Sequence, residues 1–314
     1  MTEPIARILV VDPLLTSEGF RIGPDWAGPE HEVLIPAGFE IEHLLPLLPE
    51  VSALLTAHAP VTEEMIALAP KLRLVAKPGA GVDNIDVAAA ARRGVTVTNV
   101  SGARGRAVAE HALFLMLHLT KRGWLRGDPA WRDTLATQIG GKTLGIVGLG
   151  DIGSHLARFG HGLGMQVVAH TRTPDPDRAQ DIPVRFVDLD TLLREADVVV
   201  LCAPLTDATR GMIDRRALTT MKASAYLINV ARGPLVSTED LLEVVRAGHL
   251  AGVGLDVTDP EPLPEDHGLR LLPHVLISPH NAGRTFESQA EALMRMRENV
   301  RLVLSGAPAL DPVG

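Results

Sequence analysis

Three residues of complementary chemistry stand in the second half of this 314-residue chain. They are Arg232 in INVARGPL, Glu261 in LDVTDPEPLP and His280 in ISPHNAG. A planar guanidinium holds a carboxylate bidentately and polarises an adjacent carbonyl. An imidazole titrates near neutral pH and passes a proton to or from a hydroxyl. A carboxylate beside it stabilises the imidazolium and fixes the ring. With a nicotinamide added, the set suffices to move a hydride and a proton between an alcohol and a ketone that bears a carboxylate. Spacing alone leaves other roles open. Arg232 could bind a phosphate, and Glu261 could be an exposed acid in a proline-rich turn. The remaining histidines, His111 among them, read as surface or internally satisfied groups.

A dinucleotide-binding pattern, with a mere packing turn as the alternative, stands in residues 143–172, TLGIVGLGDIGSHLARFGHGLGMQVVAHTR. An apolar strand at Thr143–Val147 runs into G-x-G-x-x-G at Gly148, Gly150 and Gly153, then a helix, then a strand at Met165–Ala169. Gly148 permits the tight turn, Gly150 lets backbone approach a pyrophosphate, and Gly153 lets helix and sheet pack closely. Asp151 and Ile152 open the helix, whose free N–H groups and positive dipole end favour an anion. About 20 residues after the first glycine, an NAD site wants an acid for the ribose hydroxyls. Thr171, Arg172 and Thr173 stand there instead, and the first acid is Asp175, beyond Pro174. An arginine suits a 2′-phosphate, so NADP is the favoured cofactor, with NAD served by Asp175 as the alternative.

These side chains need a scaffold that brings strand ends together. Short apolar runs at residues 8–11, 31–35, 53–57, 72–76 and 95–99 alternate with helical patterns at 41–48, 62–69 and 85–93. Residues 107–122 form a long helix leading into a loop with Trp124 and Trp131, read as a subunit contact if the tryptophans are exposed. Further strands follow at 198–202, 226–230, 252–257 and 275–278, with helices at 189–195, 215–221, 238–247 and 286–304. Alternation of this kind implies α/β architecture with doubly wound parallel sheets. Arg232, Glu261 and His280 each follow a strand, and open parallel sheets bind ligands beyond the carboxyl ends of their strands. Thr62 begins a helix without completing a capping box, because Met65 stands where Glu or Gln is wanted.

Composition narrows the class. Hydrophobic residues make up 46% and charged ones 22%, enough to bury sizeable cores in two domains. A net charge of −8 argues against non-specific nucleic-acid binding. One cysteine, Cys202, excludes an intramolecular disulfide. No apolar stretch reaches the ~18 residues that span a bilayer, and the N-terminus does not read as a signal peptide, so a cytoplasmic protein is expected.

The motifs GAGVDNID (79–86), AVAEHAL (107–113), GLGDIGSHLA, CAPLTDATRGMI (202–213), INVARGPLV, AGVGLDVTDPEPLP and SPHNAGRT together resemble the D-isomer-specific 2-hydroxyacid dehydrogenase family. They cover almost the whole chain in the family's order. The resemblance implies that Arg232 holds the substrate carboxylate and carbonyl, that His280 is the acid/base, and that Glu261 pairs with it. Backbone N–H groups at Ala80 and Gly81 would grip the carboxylate. Ala203, Pro204, Thr209, Val230, Ala231, Asp256, Ala282 and Gly283 would join the glycine turn, Thr171–Thr173 and His280 around the cofactor. It further implies a flavodoxin-like substrate domain of residues 1–102 and 281–314, with a Rossmann domain of 103–280 inserted and a hinge at the two crossings. A small anionic 2-keto or 2-hydroxy acid is the expected substrate, glyoxylate or hydroxypyruvate first, and a homodimer the expected assembly. HTRT in place of the usual acid resembles the family's NADP-dependent glyoxylate/hydroxypyruvate reductases. The lack of a further regulatory domain makes a feedback-controlled phosphoglycerate dehydrogenase less expected. Lys77, Arg104 and Arg106 read as solvent-facing charges rather than a positive rim. The rival reading is a non-catalytic dinucleotide sensor like related corepressors, disfavoured by the absence of long disordered tails.

Overall fold

The computed structural model describes residues 6–121, 135–179 and 181–313. The chain divides into two compact units, Met1–Arg104 with Thr285–Gly314, and Gly105–Arg284.

The first unit holds strands β1 (Ala6–Val10), β2 (His31–Leu34), β3 (Ala53–Leu55), β4 (Leu74–Ala76) and β5 (Thr96–Thr98). They pair in parallel in the order β2-β1-β3-β4-β5, the flavodoxin-like order. Helices α1 (Ile41–Leu44), α2 (Glu63–Ala67) and α3 (Val87–Arg92) connect them. Strands β3 and β4 are buried along their whole length, as the central strands of a sheet covered on both faces must be.

The second unit begins with α4 (Gly105–Lys121) and continues through β6 (Thr143–Val147), α5 (Asp151–Gly162), β7 (Gln166–His170), β8 (Val184–Phe186), α6 (Leu189–Glu195), β9 (Val198–Leu201), α7 (Arg215–Thr220), β10 (Tyr226–Asn229), α8 (Thr238–Arg246), β11 (Gly252–Leu255) and β12 (Val275–Ile277). Its seven strands are all parallel, ordered β12-β11-β10-β9-β6-β7-β8. Numbered from β6, the order is 7-6-5-4-1-2-3, the Rossmann arrangement with one strand added. Strand β8 has no counterpart in the sequence reading. It is an edge strand with Arg185 at its centre, and it lacks the apolar run that marks its neighbours.

The last helix, α9 (Phe286–Leu304), belongs to the first unit, where Ala292, Met296 and Val300 join the core around Ile8, Val10 and Leu55. In the second unit Leu115, Met116 and Leu119 of α4 join Val198, Val200 and Ile228 of the sheet. Each fully buried leucine of this kind contributes roughly 1.5–3 kcal/mol.

Six helix starts follow a common rule, from which α5 departs in an instructive way. Helices α2, α3, α6, α7, α8 and α9 begin on Thr62, Asp86, Asp188, Asp214, Ser237 and Thr285, and each side chain accepts the amide of the third helical residue. Thr62 therefore caps without the reciprocal acid. Helix α5 begins on Gly150 and has no capping side chain, so its first N–H groups remain available. The Trp124–Trp131 loop lies outside the described residues. No helix among the described residues is long and apolar enough to cross a membrane.

Candidate active site

Arg232 follows β10, Glu261 follows β11 and His280 follows β12, and these three strands are neighbours in the sheet. The parallel order therefore brings the three residues to one edge, at the carboxyl ends. Continuing across that edge, Ala203 follows β9, the glycine turn follows β6, and Thr171–Thr173 follow β7.

His280 and Glu261 are directly paired, His280 Nδ1 to Glu261 Oε1 at 2.5 Å. A carboxylate can only accept, so Nδ1 carries the proton. Thr258 N donates to the other carboxylate oxygen at 3.4 Å and orients it. The side chains keep 30% and 41% of their exposure, so both are within reach of a small molecule. His280 itself has a positive φ of 51°. A non-glycine residue in that region is held there by its surroundings. Its N–H donates to the Asp256 carbonyl at 2.8 Å, and the Asp256 carboxylate accepts the amides of Asn281 and Ala282 at 3.0 and 3.1 Å. Asp256 is 2% exposed. Ser278 Oγ donates to the same carboxylate at 2.6 Å and meets His111 Nε2 at 2.9 Å.

The Arg232 turn is built by buried Asn229, which accepts from Ala231 N at 3.0 Å and donates to the Arg232 carbonyl at 2.9 Å. The guanidinium donates to the Ala231 carbonyl at 2.7 Å. The following Gly233 lies so close to Thr258 that a Cβ would collide with its carbonyl, so the Arg232 turn packs on the Glu261 turn. Val230 and Ala231 are buried beneath it, as is Ala282 near His280. Thr209 braces the loop after β9, accepting from Thr206 N at 2.8 Å and donating to the Pro204 carbonyl at 2.7 Å.

The glycine turn fits a dinucleotide phosphate. Gly148 has φ of 97°, and a Cβ there would come within 2.7 Å of Ala203 N. A Cβ on Gly153 would collide with the Gly148 carbonyl, so the helix packs directly on the turn. Gly150 is different. The nearest group to the point its Cβ would take is Arg178 Nη1, at 3.9 Å. That open face, above an uncapped helix start and beside a guanidinium, is chemically suited to an anion. Asp151 turns to His155, 3.6 Å away, and Ile152 packs into the core.

Asp175 is held within its own loop. Its carboxylate accepts Asp177 N at 3.0 Å and Arg178 Nε at 3.3 Å. Arg172 is exposed beyond β7. Arg178 was not singled out from the sequence; its signal was a second arginine in the same loop. His111 and Ser278 were also missed, being 167 residues apart.

Ala80 and Gly81 lie in the first unit, in the turn after β4, where the Ala80 carbonyl accepts Asn99 Nδ2 at 2.6 Å. One reading nearby is corrected. Lys77 is 8% exposed, not solvent-facing, because its ammonium donates to Asn84 Oδ1, and Asn84 Nδ2 in turn reaches the Ala59 carbonyl at 2.7 Å. Arg104 is also half-buried, donating to Gln289 at 3.0 Å, whereas Arg106 is exposed and paired with Glu110.

A family model described as D-isomer specific 2-hydroxyacid dehydrogenase, NAD binding domain, matches residues 116–282. The chain is 39% identical over 271 residues to the glyoxylate reductase of Thermococcus kodakarensis, covering 81% of each. It is 34% identical over 316 residues to the D-3-phosphoglycerate dehydrogenase of a Synechocystis strain, covering 98% of this chain and 56% of that relative. The chain thus spans little more than half the length of that relative. Among solved structures, the TT0316 protein from Thermus thermophilus has a TM-score of 0.84 and 35% identity, over 98% of this chain and 100% of the other.

Proposed function

The chain belongs to the D-isomer-specific 2-hydroxyacid dehydrogenase family, and from that premise we propose that it reduces a small 2-keto acid, glyoxylate or hydroxypyruvate first, to the D-2-hydroxy acid. The observation that carries the reading is the His280–Glu261 pair, on the same strand-end edge as Arg232 and the glycine turn. A bound nicotinamide dinucleotide supplies the hydride for the keto carbon. Protonated His280 releases its Nε2 proton to the keto oxygen, and Glu261 holds the ring and stabilises its charged form. Arg232 binds the substrate carboxylate and polarises the carbonyl. The N–H groups of Ala80 and Gly81 are proposed as further donors to that carboxylate. Uncapped N–H groups of α5 receive the pyrophosphate at Gly150, while Val230, Ala231, Pro204, Thr209, Asp256, Ala282 and Gly283 line the remaining cofactor site. Residues 1–102 with 281–314 as substrate domain, and a homodimeric assembly, belong to the same proposal.

NADP is the proposed cofactor in preference to NAD. Arg172 lies exposed after β7, Arg178 stands beside Gly150, and the nearby acid Asp175 is engaged by Arg178. The sensor reading is not favoured, since the relatives named above are enzymes.

The test is absorbance-followed oxidation of NADPH and of NADH against glyoxylate, hydroxypyruvate, pyruvate and 3-phosphohydroxypyruvate. Turnover of at least one, faster with NADPH, is expected; no consumption of any with either cofactor overturns the reading. Arg172→Asp should move the ratio of NADPH to NADH efficiency toward NADH by about fivefold, one exposed ionic contact being worth up to about 1 kcal/mol. An unchanged ratio removes Arg172 from the 2′-phosphate site.

A further inference from the structure

Helix α4 sends one polar side chain toward the strand-end edge. His111, Leu115 and Leu119 recur every four residues, so they lie along one face. Leu115 and Leu119 are buried in the core, and a Cβ on Gly254 or Gly252 of β11 would come within 3.4 Å of them. One turn before Leu115, the same face delivers His111 to Ser278, just past β12. The ring of Phe114 lies 5.7 Å from that of His111.

Proton bookkeeping fixes the direction of this contact. The Ser278 hydroxyl has one proton, and the Asp256 carboxylate 2.6 Å away can only accept it. The Ser278 oxygen must therefore accept from His111 Nε2, which carries a proton. His111 also stands 3.6 Å from Asp256 Oδ1. The chain of donors runs His111 to Ser278 to Asp256. Asp256 then holds the bend that carries His280, through its carboxylate on the amides of Asn281 and Ala282 and through its carbonyl on the His280 N–H. That bend keeps His280 at its positive φ.

We infer that His111 is a positioning residue for His280, acting through Ser278 and Asp256. The inference rests on the proposed role of His280 as acid/base. Without the His111 donor, the Ser278 hydroxyl loses the partner that aims it at the Asp256 carboxylate. The bend then loosens and Nε2 of His280 wanders from the keto oxygen. A displacement of about 1 Å in a reacting group costs up to about 100-fold in rate.

His111→Leu should lower kcat between about 10- and 100-fold while KM for the keto acid stays within about twofold. His111→Gln, whose amide offers an N–H at similar reach, should recover most of the loss. Ser278→Ala should reproduce His111→Leu, and it carries the test if the leucine variant does not fold. Amide hydrogen exchange at residues 280 and 282 should be faster in His111→Leu than in wild type. An unchanged kcat in the leucine and alanine variants overturns the inference, and so does a glutamine variant as impaired as the leucine one. If wild type reduces no 2-keto acid, the proposed function falls, and the exchange measurement still decides: equal exchange rates overturn the positioning role.

Discussion

Each of the two sheets ends one of its strands on a buried aspartate, and the two are used differently. Asp12 follows β1 and clamps the loop that leaves the neighbouring β3. Its carboxylate accepts the amides of Leu14, Ala57, His58 and Ala59, at 2.9, 3.0, 2.5 and 2.7 Å. Asp256 follows β11 and clamps the loop that leaves the neighbouring β12. Its carboxylate accepts two amides and one hydroxyl, and the hydroxyl leads to His111. Burial alone would raise the Asp12 carboxyl, but the amides of Ala59, His58, Leu14 and Ala57 together hold it below the usual carboxylate value. Asp12 is thus an anionic staple among backbone donors. Asp256 does the same work for a loop whose centre is a titratable side chain. One device ties down a loop in the first sheet and, in the second, holds the bend that carries His280.

The contrast predicts effects of different kind and size. His280→Ala should reduce kcat by ~10²–10⁴-fold, the usual share of a general acid, with little change in the urea midpoint. Turnover at the wild-type rate would remove the chemistry from the seven-stranded side. Asp12→Asn should cost about 2–3 kcal/mol of unfolding free energy, since a charge-assisted acceptor is replaced by an amide whose own N–H groups face donors. Equal denaturant midpoints for the two proteins would show that the staple is not needed. The smallest effect is in acid. The folded carboxyl of Asp12 titrates below the ordinary aspartate value of 3.8, so its contribution is present above that pH and is lost as pH falls through the folded value. Wild type should lose stability faster than Asp12→Asn on acidification below about pH 4, and parallel acid limbs would contradict the assignment.

Much of this was legible because chemistry and scaffold announce themselves separately. The central strands are uninterrupted apolar runs, and Arg232, Glu261 and His280 each come just after one. The bounds of α9, Phe286–Leu304, are read from the sequence, whereas its cap at Thr285 comes from the structure. What stayed hidden lacked local signal. Lys77 beside Pro78 and Gly79 looked like surface, and only the fold brings Asn84 to its ammonium. The 3-10 turns at Pro13–Thr16 and Gly233–Leu235 are too short to carry a period. His111 looked like any histidine on an amphipathic helix. Its partner is fixed by tertiary packing, which no spacing along the chain encodes.

The core around Ile8 and Val10 has a consequence for how the protein is made. Residues of α9 from Ala292 to Leu304 are part of that core, and Arg73 at the foot of β4 satisfies the last carbonyls of α9, those of Val303 and Leu304. The five-stranded unit therefore lacks one wall until the ribosome has produced α9. The contiguous unit Gly105–Arg284 has its whole core sooner. At ~5–20 residues per second, the interval between Arg104 and Leu304 is roughly 10–40 s. For that time the first sheet waits with the apolar face meant for α9 uncovered, so of these two units the one begun earlier is completed later.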